Sequence, residues 1–253
     1  MLRRFKDERT LKENLMLASS TAFVSGVTNV ASVLAFLVFT ANITGHVATL
    51  AKNIVEQDFH EIVVFSIWLF AFFFGAFLAN FLARSIRDTS RYKAHATPII
   101  IEVIVLFLVA VYGHHFYEET ESERVIVITA LLFSMGLQNG LVSNISGGLI
   151  KTTHLTGLFT DLGSDIAEWL HVRKTNEAKP VQNRIYVRLT ILLFYIIGGL
   201  AGGYFFNKYD LVIFYFIPLV LLTILYYDLS PIALHKLTQL FASSERKKQI
   251  SKI

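Results

Sequence analysis

Two stretches of this chain place hydroxyl, amide, imidazole and carboxylate side chains beside glycine at matching spacing. TANITGHVATLAKNIVE, residues 40–56, aligns without gaps to TTHLTGLFTDLGSDIAE, residues 152–168. Six of the seventeen pairs are identical: Thr40 with Thr152, Thr44 with Thr156, Gly45 with Gly157, Leu50 with Leu162, Ile54 with Ile166, and Glu56 with Glu168. In each copy a polar residue, Asn42 or His154, precedes a Thr-Gly pair, and the residues beyond it read as a short amphipathic helix. Thr49, Lys52, Asn53 and Glu56 form the polar face of the first, and Asp161, Ser164, Asp165 and Glu168 that of the second. A helix starting at such a pair offers unbonded backbone N–H groups and the positive end of its dipole. The hydroxyl adds a donor, and the glycine lets backbone approach closely. That chemistry suits an anionic or polar solute, with Asn42, Thr44, Gly45, His154, Thr156, Gly157 and Asp161 as the expected contacts. The competing reading is a pair of interfacial helices, each lying flat at its own membrane surface.

A second repeated motif lies just upstream of each stretch. Phe23, Gly26 and Asn29 form F-x-x-G-x-x-N, and Phe133, Gly136 and Asn139 repeat it 110 positions later. Asn29 and Asn139, supported by Thr28 and Gln138, sit in apolar blocks, where polar side chains face the bundle interior. They are expected either to line a solute pathway or to bond a neighbouring helix for about 1 kcal/mol. Glu102 is the carboxylate that lies well inside an apolar block and is the candidate for proton coupling. Its place about one turn beyond Pro98 also allows a position at the membrane interface. Asn80 is read as packing. His46 and His154 lack a companion set of His and carboxylate ligands at close spacing, so no metal site is expected. There is no cysteine, no G-x-S-x-G, no phosphate loop ending in Lys-Ser/Thr and no H-E-x-x-H. Neither an enzyme nor a cofactor is therefore expected.

These residues must be positioned by elements that lie in lipid. Over 253 residues, 54% are hydrophobic and 17% charged, with a mean hydropathy of +0.54, whereas soluble domains carry about 25% charged residues. The apolar residues form six blocks: Leu15–Phe39, Ile62–Ala83, Pro98–Tyr112, Val125–Ile150, Leu189–Phe206 and Leu211–Tyr227. About 20 such residues cross a bilayer, so the third, fifth and sixth are short, and Pro218 is expected to kink the last. The basic N-terminal stretch and the long first block, with no small-x-small site, do not read as a cleaved signal. Arg and Lys gather in the N-terminal tail, around Arg84–Lys93, around Arg173–Arg184 and near Arg246–Lys248. The intervening segments, among them HHFYEETESER at residues 114–124, hold few positive charges. This alternation puts both termini in the cytoplasm. It also accounts for the net charge of +4 through topology and anionic lipid, with no nucleic-acid partner.

The two repeats each contain three blocks. An odd number reverses the second copy, so repeat 1 (residues 15–113) and repeat 2 (residues 125–228) are expected to be inverted about a pseudo-two-fold axis in the membrane plane. That construction is common among transporters. Small residues in GAFLA from Gly75 and GGLAG from Gly198 should let helices approach closely. The aromatic second block with its small-residue stripe also admits a homodimer.

T-x-N-I-T-G-H after the first block, G-x-Q-N in the fourth and T-T-x-L-T-G after it resemble the YoaK family of bacterial membrane proteins, from about Leu15 to Tyr227. That family often has an aspartate near the first-helix asparagine and an asparagine after the first T-G, where this chain has Asn29 and His46. The resemblance implies a six-helix protein of the bacterial inner membrane and supplies no substrate. The expected fold is all-α: one polytopic membrane domain over residues 1–253, with six membrane helices in two inverted three-helix repeats and a short broken or re-entrant helix in each. The expected function is a transporter or channel for a small polar or anionic solute held between the T-G turns. The alternative is a non-transporting scaffold or sensor whose partner is lipid headgroups or another protein. A polar cavity between the turns would favour the first, and a solid apolar interface the second.

Overall fold

A computed structural model describes residues 2, 8–87 and 90–229, and among them every regular element is helical. In chain order these are α1 (Leu11–Phe36), α2 (Ile43–Glu56), α3 (Phe59–Ile86), α4 (Arg91–His115), α5 (Glu121–Ser146), α6 (Leu155–Val172) and α7 (Ala178–Tyr209). A 3₁₀ segment (Asp210–Tyr215) and a last helix, α8, at residues 216–229 follow. Among the described residues, five stretches are long and apolar enough to cross a membrane. They are α1, α3, α4, α5 and the run Ala178–Leu229, which contains both α7 and α8.

α1, α3, α4, α5 and α7 begin ahead of the apolar blocks because charged and capping residues build their starts, whereas α1 and α5 stop at Phe36 and Ser146, short of the block ends. α4 begins seven residues before Pro98, and the basic start of α7 adds eleven residues ahead of Leu189. Pro218 does not kink a span. It is the third residue of α8, where backbone N–H groups have no intrahelical partner in any case. α1 and α5 start from the same capping box, Thr10 with Glu13 and Thr120 with Glu123, again 110 positions apart. They also end alike, on left-handed Leu37 and Gly147.

The directions of the helices follow from contacts at their ends. Glu8 pairs with Arg91 at 2.8 Å, and Phe36 packs on Tyr117 at 5.5 Å between ring centroids, so α1 and α4 run the same way. Five residues join α4 to α5, and the Tyr112 hydroxyl donates to Glu123 at 2.6 Å, so α5 runs opposite to both. α8 comes back along α4, from Tyr215 beside Phe107 to Leu225, whose carbonyl accepts from the Tyr92 hydroxyl. The bundle thus has a basic end, holding Arg87 and Arg91, and an acidic end, holding residues 116–123.

Two parallel helix pairs form the centre, each drawn from both halves of the chain. α1 packs on α7 and α5 on α3, at distances only glycine allows. A Cβ added at Gly26 would meet the Tyr195 carbonyl oxygen at 2.2 Å, and one at Gly198 would meet that of Phe23 at 2.2 Å. The other pair repeats this geometry, with Gly136 against Phe72 and Gly75 against Phe133, both at 2.2 Å. Without a hydrophobic force between helices in lipid, such close backbone packing is a main source of association. The stripe containing Gly75 and Ala79 is therefore covered within the chain by α5, not left free for a second copy. Asn80 packs here as expected, donating to the Ala76 carbonyl at 2.8 Å and accepting from the Asn144 amide at 2.7 Å.

Polarity is arranged inside out relative to a soluble protein. Ser25, Thr28, Asn29 and Ser32 of α1 are buried, whereas Phe70, Phe73, Phe77, Phe81, Leu193 and Leu200 point outward. The rings of Phe70, Phe74, Phe77 and Phe81 stack in turn along α3. Lipid is the solvent to which such a surface is matched.

Candidate functional site

Both Thr-Gly turns are reached by chain that doubles back along α1. After Phe36, Leu37 takes a left-handed conformation with φ 58° and turns the chain inward. The Ala41 N–H then donates to the Asn29 side-chain oxygen at 2.9 Å, and the Asn29 amide donates to the Tyr195 hydroxyl at 2.8 Å. After α5, Gly147 and Gly148 have φ 61° and 84°, which glycine adopts without strain. The chain is then pinned by Ser25, whose hydroxyl donates to Thr152 at 3.1 Å. Gln138 braces the same point, donating to the Thr21 carbonyl at 2.7 Å and to the Ser25 hydroxyl at 3.0 Å. Ser25 and Asn29 lie about 21 and 27 Å along a helix roughly 39 Å long. Both turns are thus fastened within the middle half of α1, about one helical turn apart.

From there α2 and α6 leave in opposite directions. α2 runs to the acidic end, where it joins α3, and α6 runs to the basic end, where it precedes α7. Their N-termini face a common cavity of ≈ 60 Å³, lined by residues 41–44 from one turn and 153–157 from the other. The starts differ in their caps. Asn42 accepts from the Gly45 N–H at 3.1 Å, whereas His154 begins α6 with no side-chain cap. A Cβ at Gly45 would lie 2.5 Å from the Asn42 amide nitrogen, so the capping side chain would have to shift. A Cβ at Gly157 would meet nothing within 4 Å.

The residues singled out from sequence lie in different places. Asn42, Thr44, His154, Thr156 and Gly157 line the shared cavity, with Gly45 directly beneath the Asn42 cap. Asp161 lines a neighbouring cavity of ≈ 130 Å³, which shares His154 and Gly157 with the first and also includes Lys151 and Arg188. Asn29 and Gln138 lie beneath the turns, with their amide groups engaged in holding them. Asn139 is buried and its side-chain oxygen has no hydrogen-bond partner. Glu102 is 1% exposed in α4, its Oε1 without a partner, and it lies in neither cavity. His46 has its Nε2 against the Phe39 carbonyl at 2.7 Å, and its ring packs on Phe65 and Trp68.

Sequence reasoning missed the ion-pair ladder that fixes α6 to α7. Arg188 pairs with Asp161 at 3.2 Å and with Asp165. Arg184 pairs with Asp165 at 2.9 Å and with Glu168. The signal was present, since two arginines four apart can face acids at 161, 165 and 168. His60, Glu61 and Glu121 bring ligand atoms within 4.8 Å of one another at the acidic end. Glu121 is paired there with Arg124 and His60 with Glu61, each at 3.7 Å.

Comparison with known proteins agrees with a membrane protein. The family model described as "Protein of unknown function (DUF1275)" matches residues 17–227. The chain is also 25% identical over 189 residues to the UPF0700 transmembrane protein YoaK of Bacillus subtilis (strain 168), covering 73% of this chain and 80% of that protein. No solved structure matches. With the match covering both turns and most of the helices that carry them, this multi-pass membrane protein belongs to the DUF1275 family, in keeping with its likeness to YoaK.

Proposed function

We propose that the protein is a transporter or channel for a small polar or anionic solute, which binds between the two Thr-Gly turns. The observation that carries this reading is the shared cavity: two helices from different halves of the chain present their N-termini to one space at the level of mid-α1. Irregular backbone at membrane depth is tolerated only where protein buries it or a polar cavity receives it. Two such N-termini supply N–H donors and converging positive dipole ends, and Thr44, Thr156 and His154 add side-chain polarity. A polar cavity here favours solute passage over a purely scaffolding role, and no catalytic step is assigned.

In this reading α2 and α6 are re-entrant half-helices, and the six membrane helices are α1, α3, α4, α5, α7 and α8. The opposite directions of α1 and α5, their matched caps and the matched glycine contacts support two inverted repeats related by a pseudo-two-fold axis. The basic end faces the cytoplasm of a bacterial inner membrane by the charge rule. Glu102 stands apart from the turns, so proton coupling through it would have to act at a distance.

The test begins with thermal shifts of detergent-purified protein against small anions and neutral polar metabolites, because a solute binding the folded state raises its stability by RT ln(1 + [L]/Kd). Ligands that stabilise are then assayed for flux in proteoliposomes. Thr44→Val and Thr156→Val keep side-chain shape and should weaken both binding and flux. Stabilisation by a solute that is unchanged in both variants would place its site elsewhere.

A further inference from the structure

We infer that the turn cavity is open toward the basic, cytoplasmic end of the bundle and is closed toward the acidic end by the rings of His46, Phe65 and Trp68. This builds on the transport reading above and adds the side of the membrane to which the site is exposed. It comes from comparing the same positions in the two halves. The offset of 112 that aligns the turns pairs His46 with Leu158. The offset of 123 that relates Gly75 to Gly198, each against the carbonyl of an equivalent phenylalanine, pairs Phe65 with Arg188 and Trp68 with Ile191.

In the first half these three positions are filled by rings in mutual contact. Centroid distances are 5.6 Å for His46–Phe65, 5.7 Å for His46–Trp68 and 4.9 Å for Phe65–Trp68. Both ends of the cluster are tied down. His46 is held by the Phe39 carbonyl at 2.7 Å, and the Trp68 indole N–H donates to the Val125 carbonyl at 3.4 Å. In the second half Leu158, Arg188 and Ile191 all line the ≈ 130 Å³ cavity, and that cavity adjoins the turn cavity at His154 and Gly157. Equivalent positions thus hold packed matter on the α2 side and space on the α6 side.

The chemistry of the two sides agrees with those states. The packed rings exclude water, with His46 Nε2 and the Trp68 N–H already engaged by backbone carbonyls. Arg188 on the other side is flanked by Asp161 and Asp165, and charged groups inside a membrane protein face the bundle interior or a water-filled cavity, here the cavity that Arg188 lines. In an inverted-repeat protein, exchanging a closed half for an open one moves the exposure of a mid-membrane site from one face to the other. The ring cluster is then the outer gate.

The chain contains no cysteine, so sidedness can be read directly. Ile43→Cys and Leu155→Cys place single thiols on the lining of the turn cavity at equivalent positions. A membrane-impermeant thiol reagent is applied to right-side-out and to inside-out vesicles, with labelling after denaturation as the measure of total thiol. Both thiols should react from the cytoplasmic face and be protected from outside. Adding Phe65→Ala or Trp68→Ala should raise labelling from outside by roughly tenfold, the change expected when ring contacts that close a gate are lost. If Trp68→Ala lowers yield, Phe65→Ala, whose side chain is only partly buried, carries the test. Equal labelling from both faces without the ring substitutions, or an outside rate unmoved by either of them, would overturn the gate while leaving the solute site standing. Labelling from neither face would overturn the site as well.

Discussion

Replacing Gly26 or Gly136 by alanine tests the central packing most directly. In each case the new methyl carbon would sit 2.2 Å from a facing carbonyl oxygen, against the roughly 3.4 Å of ordinary contact. The paired helices must separate by about 1 Å, or the backbone must bend. Overpacking of this kind costs about 1 to 3 kcal/mol, occasionally more. For a chain of this size that lowers the melting temperature by about 2 to 4 °C per kcal/mol, so each variant should melt roughly 2 to 12 °C below wild type in detergent. Gly163→Ala is the internal control. Nothing lies within 4 Å of a Cβ at that position in α6, and helix propensity alone should raise stability by up to about 1 kcal/mol. The reasoning fails if Gly26→Ala and Gly136→Ala melt with wild type, or if Gly163→Ala falls as they do.

Single cysteines at Arg91 and Asn176 should be protected from an impermeant reagent outside intact cells and one at Glu119 labelled. Labelling at Asn176 would give both halves the same orientation. Thr44→Val and Thr156→Val should show coupled effects on solute binding in a double-mutant cycle, since they line one cavity; simple additivity would count against a shared site. Asn29→Ala removes the acceptor of the Ala41 N–H and the partner of the Tyr195 hydroxyl. It should destabilise the fold by about 1 to 3 kcal/mol, read by thermal melting, and an unchanged melt would deny Asn29 its role in holding the turn. Gly45→Ala should disturb its turn where Gly157→Ala does not, because Asn42 stands in the way of only the first. Equal effects of the two on melting and solute binding would remove that distinction.

What could be read from sequence was whatever repeats or accumulates along the chain. Runs of apolar residues located the long helices, and the recurrence of Thr-Gly located two turns that meet at one cavity. The ends of helices were less legible, since α7 begins in the basic segment near Lys179, where composition alone looks like a loop. The capping boxes at Thr10 and Thr120 are legible as Thr followed three residues later by Glu. The roles of Asn29 and Gln138 could not be read, because a buried amide that braces a turn and one that contacts a solute have the same sequence signature. Only the acceptors at Tyr195 and Thr21 separate the two. The same applies to the small-residue stripe of α3, whose partner turned out to be α5 of the same chain and not a second copy.

Because α1 is paired with α7 rather than with a neighbour in sequence, biosynthesis has to leave it waiting. Phe23 and Gly198, in contact in the finished bundle, are 175 positions apart. At about 5 to 20 residues per second, the ribosome needs roughly 9 to 35 seconds to make that distance. Throughout this interval α1, with Ser25, Thr28, Asn29 and Ser32 along its length, stands in the bilayer without the backbone groove it will occupy. The N-terminal half is thus a poor candidate for an independent folding unit, and a ribosome stalled before α7 leaves behind a substrate for membrane quality control.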